Sequence, residues 1–351
     1  MSAPIVTVLI TTYNYGKFIE QAIKSALAED LGPEAVQVLV VDDGSTDDTA
    51  ERVKKYGSRV EYFYQPNGGQ AAALNAGIDR SRGEVIALLD ADDFFLPGKL
   101  KRLAEVFQAD ATLGMVYHPL QEWYVESGER RDREFVAVSG DAQREPDKFL
   151  LYTAQPTSCI AFRRSILKRL LPIPESIRML ADCYLVSLVP LLAPIQALPE
   201  FLAVYRIHGK NCYTTSEQQL PLETRKKRVE MWRILIDAMR KWLAENGYTR
   251  KQVPVRSLLD RWSILLDREE FKVAKPGRVR FFRHILKSYR YELPSKSWRT
   301  ALITHVDALG GLLVGQENFS GWHKRREDLT RWMGGLSSRN RMASAVPRDL
   351  K

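Results

Sequence analysis

The feature that most restricts the fold is an alternation running through the first 110 residues, in which short apolar runs take turns with stretches of helical periodicity. IVTVLI (5–10), VQVLVV (36–41), VEYFY (60–64) and EVIALLD (84–90) are rich in β-branched and apolar residues and read as strands. Between them, residues 17–29 place Phe18, Ala22, Ile23, Ala26 and Leu27 at helical spacing. Ser45 or Thr46 stands where a cap is needed ahead of Asp47 and Asp48, and residues 70–80 read as a third helix. Crossovers of this length join parallel strands by right-handed connections. An open, mostly parallel α/β sheet follows, and ligands gather beyond the carboxyl ends of such strands.

Each of those ends carries polar or acidic residues: TTYNYG, DDGS, NGG and DADD in turn. Taken singly, any of them is explained as a turn or a cap, because Asp, Gly and Ser are turn formers. Four at one sheet edge read as a single site. The last is the most demanding, since VIALLDADDFF (85–95) runs five apolar residues straight into Asp90, Asp92 and Asp93. Carboxylates so close repel one another, and burial raises the cost. A hard divalent cation seeks carboxylate oxygens and removes the conflict.

In this order and spacing, VTVLITTYNYGKFIEQAIKSAL, VLVVDDGSTDDTAERV and NGGQAAALNAGIDRSRGEVIALLDADDFFLPGKL resemble the nucleotide-sugar half of the family-2 glycosyltransferases. The resemblance is dense over the first 110 residues and thins toward residue 210. It implies the GT-A fold, a Rossmann-like, mostly parallel central sheet flanked by helices, with Mn²⁺ or Mg²⁺ at a DXD motif. By that resemblance Thr11, Tyr13 and Asp43 embrace the nucleobase, with Asp42 beside them. The Asp43 carboxylate would accept from the ring N–H of uracil or thymine, which cytosine lacks. Asn67, Gly69 and Gln70 would form the approach to the donor, Asp90 and Ala91 would lie toward the nucleotide-sugar, and Asp92 would touch the metal. Asp93 would be an alternate ligand or a support behind it. Many relatives carry Arg in an A-R-N run where this chain reads Ala73-Leu74-Asn75, so the cation that meets the diphosphate is left open.

Inverting transfer needs one carboxylate to take the acceptor's proton. SIRMLADCYLVSLVPLL (176–192) offers Asp182, with Ala181 where the family often has Glu. VYRIHGKN (204–211) resembles a closing Y-R-x-H segment, which makes His208 a metal or diphosphate contact and Arg206 a counter-charge for phosphate. PTSCIAFRRSIL (156–167) resembles the acceptor-side segment, with Ser158 and Arg163 as candidates. The Q-x-x-R-W signature of processive synthases is absent, which argues for one sugar per encounter.

Composition sets the outer limits. The chain has 351 residues, 45% of them apolar and 27% charged, as in an ordinary globular protein. Cys159, Cys183 and Cys212 form no C-x-x-C pair, so neither a disulfide framework nor a zinc site is expected. No run of eighteen apolar residues and no secretory start are present, and a cytoplasmic location is expected. Residues 1–222 carry 23 Lys and Arg against 29 Asp and Glu, whereas residues 223–351 carry 29 against 14. We therefore expect a catalytic domain over 1–220, with a nucleotide-sugar half (1–110) and an acceptor half (111–220), followed by a basic helical region over 221–351. Residues 275–298 mix Arg and Lys with aromatic residues at helical spacing. Such a segment suits an anionic membrane surface, and equally a helical subdomain with solvated basic faces.

The expected activity is metal-dependent, inverting transfer of a single sugar from a UDP- or dTDP-type donor. The acceptor would be a saccharide or lipid-linked saccharide, in cell-surface polysaccharide or glycan synthesis. A non-catalytic nucleotide-, carbohydrate- or membrane-binding scaffold of the same fold is the alternative. An oxidoreductase is disfavoured because no G-x-G-x-x-G follows the first strand, and nucleic acid is not an expected partner because no reader motif accompanies the charge.

Overall fold

The computed structural model describes residues 5–28, 31–32, 34–133, 135–145, 149, 156–209, 211, 221–274 and 277–292. Its centre is a seven-stranded sheet built from β1 (Val6–Thr12), β2 (Val36–Asp42), β3 (Glu61–Tyr64), β4 (Val85–Asp90), β6 (Met115–Tyr117), β9 (Ile160–Arg163) and β10 (Ile195–Ala197). The order is β10-β6-β9-β4-β1-β2-β3, and every pairing is parallel except those of β9 with β4 and β6. The first expected strands and the helix over 70–80 are present. The chain steps outward from β1 through β2 to β3 and then returns to pair β4 on the other side of β1. Strand order therefore reverses at β1, and the crevice of an open α/β sheet opens beyond the carboxyl ends of β1 and β4. Register aligns those ends, with Thr11 opposite Asp90 and Thr12 opposite Asp42.

Both faces of the sheet are covered, which explains why its strands are continuously apolar rather than alternating. Val8, Ile10, Val38 and Val40 pack with helices α1 (Gly16–Leu27), α2 (Thr49–Lys54) and α4 (Lys99–Ala109). Leu9, Leu39, Val41 and Leu88 point the other way, against α3 (Gln70–Arg80) and α6 (Ala181–Leu192). The same cluster takes in α7 (Leu222–Glu245), through Leu235, Ile236 and Met239, and the start of α8 (Val253–Phe271), through Val255, Leu259 and Trp262. A short helix, α5 (Arg164–Leu167), follows β9.

A second, four-stranded sheet has the order β5-β11-β7-β8, from β5 (Phe94–Phe95), β7 (Gln121–Tyr124), β8 (Arg130–Asp132) and β11 (Ala203–Ile207). The β-branched, apolar stretch EFVAV (134–138) is not a strand over its described residues. Tyr117 takes the place of a ladder partner there, its hydroxyl donating to Val138 O (2.9 Å) and accepting from Val138 N (2.8 Å).

By packing, the first compact unit runs to Leu266, so α7 and most of α8 belong with the sheet although their composition is that of the basic region. The second unit, from Asp267 onward, contains α9 (Arg278–Glu292). Phe281 and Ile285 pack there with Phe271, and Arg280 pairs with Asp267 and Glu270. Among the described residues no helix is long and apolar enough to cross a membrane. The apolar run at 301–315 lies outside the described residues.

Candidate active site

The acidic knot is made by the turn that ends β4. Asp93 N donates to Asp90 O (3.0 Å), which folds the chain back so that carboxylate oxygens of Asp90, Asp92 and Asp93 all come within 4.8 Å of one another. Asp93 is fully buried, accepting from Ser158 Oγ (2.6 Å) and from the Arg206 backbone N–H (2.9 Å). Asp92 is 9% exposed, with His208 Nε2 3.0 Å and Asn211 Nδ2 3.5 Å from its Oδ2. Burial, followed by repulsion from neighbouring carboxylates, pushes Asp90 and Asp93 well above the usual carboxylate range. For Asp90 and Asp93 to ionise together in this space, a cation is needed among them. Crowded carboxylate oxygens with one imidazole alongside suit Mg²⁺ or Mn²⁺.

Two positive side chains stand behind this cluster rather than in front of it. Lys99 is fully buried, with Nζ 2.6 Å from Ser158 O and 3.7 Å from the Phe95 ring centroid. Arg206 is walled in by the rings of Phe18, Phe94 and Trp123 and donates to Gln21 Oε1 (2.7 Å). Strand alternation explains its position, because in β11 Tyr205 faces the open side and Arg206 faces away. Burial and the nearby aspartates push the Tyr205 phenol upward, so it is a hydrogen-bond donor.

In front of the acids lies a cavity of about 770 Å³. Thr11, Tyr13, Asp43, Asn67, Gly69, Gln70, Asp90, Ala91, Asp92 and Asp182 all line it. Asp182 sits in the first turn of α6, where burial raises its carboxyl above the usual range and Thr157 Oγ1 donates to it at 3.1 Å. Thr157 also lies close enough to Asp90 to favour its charged form.

The loop at residues 67–70 and the segment that carries Asp182 are knitted together. Gln70 N donates to Arg178 O (2.9 Å), and Gln70 Oε1 accepts from Ala181 N (2.9 Å) at the start of α6. Arg178 in turn donates to Gly68 O (3.1 Å) and pairs with Asn67 Oδ1. Gly69 makes the approach possible, having φ +89° and no room for a Cβ, which would meet Arg178 Cα at 2.8 Å. Leu180 adopts φ +69°, a left-handed conformation uncommon for a bulky residue, immediately before the helix that carries Asp182. Asp43 fastens the same loop, accepting from Gln65 Nε2 (2.8 Å) and Gly68 N (2.9 Å) on one oxygen and from Gly69 N (2.7 Å) on the other. One acceptor direction remains on that second oxygen.

Several sequence candidates stand apart from the cavity wall. The Asp42 carboxylate is spent on Ser45 N (2.7 Å) and the Tyr62 hydroxyl (2.7 Å) and is fully buried. Asp93 and His208 touch the cavity residues from behind. Ser158 and Arg206 are buried beneath the acids, and Arg163 binds the carbonyls of Phe107, Asp110 and Leu113, structural duties all. Conversely, Arg133, Arg178 and Trp232 line the cavity although nothing in the sequence marks them, and Thr157 and Tyr205, which lie in the quoted motif segments without being singled out there, line it as well. Arg133 and Arg178 are the Lys or Arg residues of that lining. No local motif announces them, because each reaches the cavity from a segment distant in sequence.

Comparison with known proteins agrees with this geometry. The sequence model described as glycosyl transferase family 2 matches residues 7–171. A glycosyltransferase of Nostoc sp. is 34% identical over 230 residues, covering 61% of this chain and 70% of that protein. The chain belongs to glycosyl transferase family 2. Solved structures share the GT-A fold of this family 2 enzyme. S. aureus TarS 1–349 in complex with UDP-GlcNAc superimposes with a TM-score of 0.52 at 18% identity, covering 89% of this chain and 92% of that one. The mannosyltransferase PcManGT of Pyrobaculum calidifontis, in complex with GDP-Man and Mn²⁺, gives 0.51 at 16% identity, covering 92% and 84%.

Proposed function

We propose that this glycosyltransferase moves a single sugar, with inversion, from a UDP- or dTDP-sugar to a saccharide or lipid-linked saccharide acceptor in cell-surface glycan synthesis. The observation that carries the reading is the convergence of Asp90, Asp92 and Asp93 at the switch point of the sheet, with Asp182 facing them across one cavity. Asp92, with Asp93 and His208 close behind, would hold a divalent ion, whose chemistry is to stabilise the departing diphosphate. Asp182 accepts the proton of the acceptor hydroxyl as that oxygen bonds to the anomeric carbon. The bond from that carbon to the diphosphate breaks, and its electron pair leaves with the diphosphate. Arg178 and Arg133 face phosphate charge from the cavity wall. Tyr13, half exposed at the rim, offers a ring face to the base, and the remaining acceptor direction on Asp43 favours a pyrimidine ring N–H. TarS, solved with UDP-GlcNAc, supports a uridine donor, whereas PcManGT, solved with GDP-Man, shows that the fold also takes a purine nucleotide. The basic residues after 266 would hold the enzyme at an anionic membrane that carries its acceptor.

The test is a screen of nucleotide-sugars for slow hydrolysis and thermal stabilisation with and without Mn²⁺. A UDP- or dTDP-sugar is expected to respond, and only with the metal. Asp182→Asn is expected to keep that binding and lose transfer. Equal donor affinity with and without metal, or normal turnover by the variant, would remove the corresponding part.

A further inference from the structure

Helix α6 carries Asp182 in its first turn yet has no cap of its own, since its N-cap position is Leu180, which offers no side-chain acceptor. Leu180 is also held at φ +69° and ψ 23°, a conformation that a bulky residue adopts only where its surroundings impose it. The first helical N–H, that of Ala181, therefore needs an acceptor from elsewhere. It finds Gln70 Oε1 at 2.9 Å, 111 residues away in sequence. Gln70 thus does from α3 what a capping side chain does from within a helix.

Gln70 is itself well anchored. Its own N–H donates to Arg178 O (2.9 Å), so the main chain and side chain of one residue grip the segment on both sides of Leu180. The residue before it, Gly69, donates its N–H to Asp43 Oδ2 (2.7 Å). Farther along α3, Asn75 closes a two-way pair with Ile173, donating Nδ2 to its carbonyl (2.8 Å) and accepting its N–H (2.8 Å). The segment 173–181 is held at both ends by α3, and its left-handed turn falls between two bonds to the same glutamine. A sparsely populated backbone conformation persists only while its surroundings over-determine it.

We infer that Gln70 is the positioning residue for the base: it holds Leu180 in its left-handed turn and so keeps Asp182 aimed into the cavity. Sequence resemblance would place Gln70 on the approach to the donor, whereas its carboxamide oxygen is turned to α6. Without that acceptor the Ala181 N–H loses its partner, Leu180 relaxes to an ordinary backbone conformation, and the first turn of α6 loosens with Asp182 in it. The inference rests on the glycosyl-transfer reading above and adds to it the group that orients the base.

Hydrogen–deuterium exchange read by mass spectrometry on the nucleotide-free full chain, together with steady-state hydrolysis of the nucleotide-sugar that the screen above selects, tests it. Gln70→Leu, which keeps the bulk and loses the acceptor, is expected to speed exchange in peptides covering residues 178–186 about tenfold, with peptides from β1 and β4 exchanging as in the wild type. Its kcat is expected to fall about tenfold while KM and UDP affinity stay within about twofold. Gln70→Glu, which keeps an acceptor oxygen at the same reach, is expected to retain the slow exchange. Wild-type exchange over 178–186 in Gln70→Leu overturns the inference, as does an unchanged kcat, and a loss confined to KM would make Gln70 a donor contact instead. A chain that hydrolyses no nucleotide-sugar would remove the glycosyl-transfer reading, and the base with it, whatever the exchange shows.

Discussion

Replacing Gly69 by alanine puts a measurable strain where the loop at residues 67–70 meets the segment that leads to Asp182. At φ +89° and ψ 174° the backbone lies in a region reserved for glycine, which costs an alanine about 1–3 kcal/mol. The new Cβ would also stand 2.8 Å from Arg178 Cα, 2.9 Å from its Cβ and 3.0 Å from its carbonyl oxygen. That energy has two outlets. If the loop holds its place, the fold bears the strain, and about 2 kcal/mol in a unit this large lowers Tm by about 4–8 °C. If the loop withdraws, the bonds from Gly69 N to Asp43 and from Gln70 N to Arg178 O are lost, each worth about 1 kcal/mol or more. Nucleotide affinity then falls about 30-fold. Calorimetric titration with UDP and Mg²⁺ and thermal denaturation of the same preparation read both outlets. Gly57→Ala is the control, since Gly57 has φ +57° but open space within 4 Å of where a Cβ would stand, so it lowers Tm alone. A Gly69→Ala protein unchanged in both Tm and UDP affinity would refute the reasoning.

Thr157→Val removes a hydroxyl that lowers the carboxyls of Asp182 and Asp90, both already raised by burial. A base acts when deprotonated, so activity falls as pH drops through its raised value, and the variant's acidic limb is expected at higher pH in a kcat/KM profile; an unmoved limb would count against Asp182 as the base. Asp92→Ala is expected to abolish the Mn²⁺ enhancement of UDP binding, measured by titration in matched buffers. For the basic region, the full chain is expected to float with anionic liposomes at low salt and to be released at high salt. Failure to float at low salt would favour a subdomain with solvated basic faces.

The sheet is legible in the sequence because its determinants are local: VTVLIT and VIALLD are too apolar to be anything but buried strands, and their acidic ends have few structural excuses. The helix at 70–80 is marked by its own periodicity and a preceding Gly-Gly. Asp182 stands out as the one acid in an apolar stretch. Arg178, Thr157 and Trp232 are hidden for the opposite reason, since each matters through a partner about 25 to 110 residues away, such as Thr157 with Asp182 or Arg178 with Asn67. Asp42 misleads because adjacent acids look equivalent in a sequence, whereas a strand turns them to opposite sides and gives one of them to Tyr62. The α7 helix reads as basic, yet its buried stripe of Leu235, Ile236, Met239 and Leu243 docks it on the sheet.

The enclosure of Arg206 by three aromatic rings fixes a positive charge that cannot travel. It lies near Asp92 and Asp93 but off the cavity wall, so it keeps its place whatever the cavity holds. Sequence change along the open wall can then alter which acceptor is taken while the charge balance under the acids stays as it is.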